Sequence, residues 1–147
     1  YPQVTGLHDL VVHDYGPGRL MISLHAEVSA KADICETHDA VDNIERRLAG
    51  ELGCTAVIHM DPVDADDART RELKAQVTDI IAALDPRLSL HDFRLVTGPT
   101  HTNVIFDLVV PFEVRESDEQ LVQEVQTRIK ALDSTLFPVI QVDRSMV

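Results

Sequence analysis

Leu7-His8-Asp9-Leu10-Val11-Val12-His13, closed by the turn formers Asp14-Tyr15-Gly16-Pro17-Gly18, is echoed 83 residues later by Leu90-His91-Asp92-Phe93, closed by Gly98-Pro99. Self-similarity at a nearly fixed offset marks a repeated structural unit and settles the organisation before any motif is interpreted. The surroundings repeat too. After the first turn, Leu20, Ile22, Leu24, Ala26 and Val28 alternate with Met21, Ser23, His25 and Glu27, the pattern of a strand with two unlike faces, and Val104 to Val110 follows the second turn in the same way. Helical spacing comes next in both copies. Ile34, His38, Val41, Ile44 and Leu48 follow a capping pair of Asp33 and Glu36, while Leu121, Val125, Ile129 and Leu132 follow Ser117 and Gln120. Each copy closes on a further strand, 54–60 and 139–142, and Asp143 stands 82 residues after Asp61.

Both copies therefore read β-β-α-β. The second has an additional helix in front of it, with Leu73, Val77, Ile80, Ile81 and Leu84 on one stripe, reached through the acidic linker Asp64-Ala65-Asp66-Asp67 and ending before Pro86. A right-handed crossover from the hairpin to the last strand places the helices on one face of a small sheet. The expected fold is α+β: two tandem ferredoxin-like (αββαβ) units, residues 1–64 and 65–147, the first lacking its leading helix. One sheet face of each unit would then need cover from a neighbour. The apolar stripes of all three helices are expected to be core.

Composition narrows the function. The 147 residues are 26% charged and 44% hydrophobic, as in a folded domain, and carry a formal charge of −12. Such a surface repels phosphate backbones, so nucleic acid is not an expected partner, whereas metal cations are attracted. No run approaches the ~18 to 20 apolar residues of a membrane span. A chain opening on Tyr1 instead of Met reads as a piece of a larger protein. Cys35 and Cys54 are too few for a disulfide framework and form no Cys-x-x-Cys, which points to a reducing compartment. Without a glycine-rich phosphate loop or a nucleophile with a supporting triad, the chain is not expected to be an enzyme.

Histidine is unevenly spread. Five of the seven, His8, His13, His25, His38 and His59, lie in the first 64 residues. His8 falls on the first strand, His25 on the more polar face of the second, His38 on the helix and His59 on the last strand, with Asp61 two residues on and so on the same side as His59. Imidazole nitrogens with a carboxylate suit Zn²⁺ or another first-row divalent ion. A lone strand histidine is usually structural; four with Asp61 make a candidate ligand set. Cys35, three residues before His38, could add a thiolate, but a lone helix cysteine is usually a small core residue and is expected to be one here. His13 and Glu27 are candidates for steadying a ligand or for accessory coordination.

The same residues carry a resemblance. Val4-Thr5-Gly6-Leu7-His8-Asp9-Leu10, His13-Asp14-Tyr15-Gly16-Pro17-Gly18-Arg19, Leu24-His25-Ala26-Glu27-Val28, Thr37-His38-Asp39-Ala40-Val41-Asp42-Asn43-Ile44-Glu45 and Val57-Ile58-His59-Met60-Asp61-Pro62 resemble, in this order and without a gap, the cytoplasmic C-terminal domain of cation diffusion facilitators. The resemblance implies a metal-binding, homodimerising domain on the cytoplasmic face of the cell membrane, attached to an N-terminal transmembrane domain of the same full-length chain that exchanges metal for protons. It implies His8, His25, His38, His59 and Asp61 as ligands at the dimer interface. The ion would be Zn²⁺ or another divalent metal such as Mn²⁺, Fe²⁺, Co²⁺ or Cd²⁺. The second copy reads as degenerate: His91 and Asp143 match His8 and Asp61, but Leu108, Glu119 and Gln141 stand opposite His25, His38 and His59.

Two other readings compete. One is a ferredoxin-like module that binds a small ligand or a protein and uses its histidines structurally. The other is a metallohydrolase, which would need an open coordination position and a general base, and the sequence points to no such base.

Overall fold

The computed structural model describes residues 1–64 and 67–144, so Ala65 and Asp66 of the acidic linker lie outside the described residues. The chain divides into two compact units, Tyr1–Asp64 and Ala65–Val147. In unit one, β1 (Val4–Asp14) and β2 (Leu20–Ser29) form a hairpin that continues through α1 (Ile34–Leu52) into β3 (Cys54–Val63). In unit two, α2 (Ala68–Leu84) precedes β4 (Ser89–Thr97), β5 (Thr102–Val109), α3 (Asp118–Leu132) and β6 (Leu136–Asp143). Each sheet has three strands, and its middle strand, β2 or β5, is antiparallel to the strand before it and parallel to the one after. These are tandem ferredoxin-like units, and no helix precedes β1 among the described residues.

Local chemistry sets the boundaries. Gly16 and Gly18, at φ 112° and 72°, allow the tight turn between β1 and β2. Asp33 caps α1 by accepting from the Glu36 amide at 2.9 Å, and Gly53 ends that helix in the left-handed conformation. Ser117 and Gln120 bond each other's backbone at the start of α3, a complete capping box.

A shared irregularity shapes both hairpins. Between His8 and Val11 the first strand carries one residue more than its partner, with Asp9 left-handed at φ 53°; between His91 and Arg94 the same happens, with Asp92 at φ 56°. Aspartate tolerates this conformation better than most side chains. The bulge shifts the strand's alternation by one. His8 and His13, an odd five residues apart, therefore share a face, paired with His25 and Met21 respectively.

The two units are packed very differently. The largest fully buried side chains, Phe106, Ile81, Leu108, Ile129 and Leu136 among them, all belong to unit two, where Leu73, Val77 and Ile81 of α2 join the core. Unit one buries only Ile22, Ala26, Val28, Ala40 and Val41 of its apolar residues, and Leu7 and Val12 are 62% and 55% exposed. The expectation that all three helical stripes are core fails on α1. Ile34 is 73% exposed there, and the buried positions of the helix are Thr37, Ala40 and Val41.

Candidate metal centre

Cross-strand register builds the site. His8 pairs with His25 and His25 with His59, which makes one row of three imidazoles across β1, β2 and β3. The adjacent row holds Gly6, Glu27 and Asp61. By strand alternation both rows lie on the sheet face opposite the one that Ala26 and Met60 share with α1.

Asp61 is the hub. Its carboxylate is 3% exposed; Oδ2 lies 3.0 Å from His8 Nε2 and 2.8 Å from His25 Nδ1, and Oδ1 lies 3.2 Å from His59 Nε2. A carboxylate can only accept, so in the absence of a cation these imidazoles donate to it, which is how a buried charge is satisfied. The rings follow one another at centroid spacings of 4.8 Å and 4.7 Å. Ligand atoms of His8, His25 and Asp61 all fall within 4.8 Å of one another, a donor set of nitrogen and carboxylate oxygen that fits a small first-row divalent ion. His59 adjoins the trio with its side chain largely exposed.

His38 stands apart from the other four candidates. It lies on the exposed side of α1, where it lines a shallow cavity with Ile34, Cys35, Asp39 and Met60. Met60 alternates with His59 and Asp61, so this cavity opens on the other face of β3. Cys35 shares it, exposed and not in the core. His13 stacks on Tyr15 at 5.8 Å. Glu27 is buried next to His8, a contact that its residue type and strand position left open.

Among the described residues unit two lacks this constellation, and its register corrects two of the correspondences expected from the sequence. The residue paired with His91 and Gln141 is Asp107, so Asp107 and not Leu108 occupies the place of His25. The offset falls from 83 to 82 at the turn, because residues 98–101 join Thr97 to Thr102 where residues 15–19 join Asp14 to Leu20, one residue fewer. Counted from the helix caps Asp33 and Ser117, the place of His38 falls to Val122 and not Glu119. Burial pushes the Asp107 carboxyl above its ordinary range, Asp92 adds to the shift, and Arg94 pulls it back. A carboxyl raised on folding destabilises the folded state once pH is high enough to ionise it. Asp107→Asn should therefore unfold at a higher temperature than the wild type at pH 7, with the gap closing as pH falls into the acidic range. An equal gap at pH 4 and pH 7 would contradict this.

Among the described residues no helix is long and apolar enough to cross a membrane. A search of curated proteins returned no match to the chain. Residues 1–63 match the family model for the cytoplasmic domain of cation efflux proteins, a match that stops where unit two begins. The match covers less than half of the chain and coincides with the unit that has the β-β-α-β order and the row of imidazoles around Asp61, so unit one is similar to the cytoplasmic domain of cation efflux proteins.

Proposed function

We propose that unit one is a metal-sensing dimerisation module of a divalent-cation efflux transporter, set on the cytoplasmic face of the membrane and joined in the full-length chain to a transmembrane domain that exchanges Zn²⁺ for protons. The observation that carries this reading is the convergence of His8, His25 and Asp61 within 4.8 Å beside His59. Zn²⁺ is the favoured ion for a nitrogen and carboxylate donor set; Mn²⁺, Fe²⁺, Co²⁺ and Cd²⁺ are the alternatives. His38, turned away from the trio on its own chain, is then supplied by a second copy, so metal binding and homodimerisation are one event. Unit two, without the imidazole row, acts as a structural partner in the assembly.

Zn²⁺ titration tests it. A ligand that binds only the folded state at 100 times its Kd adds about 2.7 kcal/mol, so the melting temperature should rise by several degrees. Sedimentation should show a Zn²⁺-dependent dimer that His38→Ala loses while the fold is kept. Ligation needs neutral imidazoles, so affinity should fall as pH drops through ~6.5. An unchanged melting temperature in excess Zn²⁺ defeats the proposal. It would favour instead a small-ligand or protein-binding module whose histidines serve only to satisfy Asp61, a reading that draws on those three imidazole contacts.

A further inference from the structure

The row beside the imidazoles is built around a carboxylate with reserved space. Glu27 is 4% exposed on the site face of β2, directly opposite the buried Asp61 on β3 and Gly6 on β1. Gly6 is what makes room for it. A Cβ at position 6 would overlap Glu27 Oε2, and no other atom presses as closely on that point. From this slot Oε1 lies 3.7 Å from His8 Nδ1, while Nε2 of the same ring lies 3.0 Å from Asp61. The imidazole is thus set between two buried carboxylates. Its Nδ1 is buried and has no hydrogen-bond partner, a condition that costs free energy until one is supplied.

We propose that Glu27 is the positioning residue for His8, accepting the ring proton at Nδ1 when Nε2 is engaged by a divalent cation. The inference rests on the metal-binding reading above and deepens it. In the metal-free protein the closer contact places the ring proton on Nε2, donated to Asp61. A metal ligand must offer a lone pair, so on binding Nε2 gives up that proton, Nδ1 takes one, and the ring stays neutral. The carboxylate facing Nδ1 is that of Glu27, one small ring rotation away from a hydrogen bond. Carboxylate contacts of this kind fix the tautomer and orientation of a ligand histidine.

The test combines Zn²⁺ affinity with NMR assignment of the protonated ring nitrogen of His8 in the Zn²⁺-loaded protein. The wild type should carry its proton on Nδ1, protected from exchange. Glu27→Leu should bind Zn²⁺ roughly 10- to 100-fold more weakly and lose that protection. Glu27→Gln, whose amide oxygen still accepts, should lose only about threefold to fivefold and keep the protected proton. Gly6→Ala leaves the carboxylate's chemistry intact but displaces it, and should weaken binding about tenfold. If Glu27→Leu fails to fold, Gly6→Ala and the wild-type assignment decide. Ligation of His8 through Nδ1, or wild-type affinity in both Glu27→Leu and Gly6→Ala, overturns the inference alone, whereas no Zn²⁺ binding by the wild type overturns the metal-binding reading with it.

Discussion

Asp61→Ala should weaken Zn²⁺ binding by about a hundredfold or more, measured by competition with a chromophoric chelator near pH 7.5. Structural Zn²⁺ sites are worth roughly 10–16 kcal/mol, or about 3 kcal/mol for each of four ligands, and 1.4 kcal/mol is tenfold. Asp61 should sit at or above that average, because its two oxygens touch His8, His25 and His59 at 2.8 to 3.2 Å and hold the row together before any metal arrives. Without it the imidazoles lose their common acceptor, and His8, 8% exposed, is left with both ring nitrogens poorly satisfied. His59→Ala should cost less, since that side chain is mostly in solvent. Asp61→Ala binding within threefold of wild type would remove Asp61 from the site.

The second large effect belongs to unit two and has nothing to do with metal. Phe106 is fully buried on the middle strand of its sheet, with Phe93 stacked at 6.0 Å, in a cluster that also takes in Val104, Leu108 and the inner residues of α2 and α3. Phe106→Ala should destabilise unit two by about 3–5 kcal/mol in urea unfolding, through lost transfer free energy and the cavity left behind. That is a large share of the ~5–15 kcal/mol available to a whole domain. No single truncation in unit one should match it, because the buried apolar residues there run only from Ala26 to Ile22 in size. A loss below 1 kcal/mol would show that the core collapses around the gap.

The repeat and the hairpin–helix–strand order were legible because they depend on residue type and period alone, as in Ser117 with Gln120 or the alternation from Leu20 to Val28. The grouping of His25, His59 and Asp61 was half legible. His59 and Asp61 follow from alternation, but their register with His25 is set by parallel pairing that no local signal reports. The bulge at Asp9 was invisible, since only the backbone angle reveals it, and the second turn, one residue shorter than the first, led to Leu108 where the structure has Asp107. The seating of Glu27 against His8 was hidden for a further reason. It depends on Gly6, whose contribution is the absence of a side chain.

The bulge at Asp9 also determines what the outer margin of β1 can do. This is an edge strand, pairing only with β2 among the described residues, and it carries Leu7, Leu10, Val11 and Val12 all more than 40% exposed. A straight strand of that composition would be a template for open-ended association with other chains. The extra residue interrupts the row of free backbone groups midway, increases the local twist and sets a charged side chain at the break. Asp92 does the same for β4, in a unit that has kept almost none of the histidines. A protection against aggregation is needed by both copies, and that accounts for a feature which metal binding alone would have left without purpose in the second.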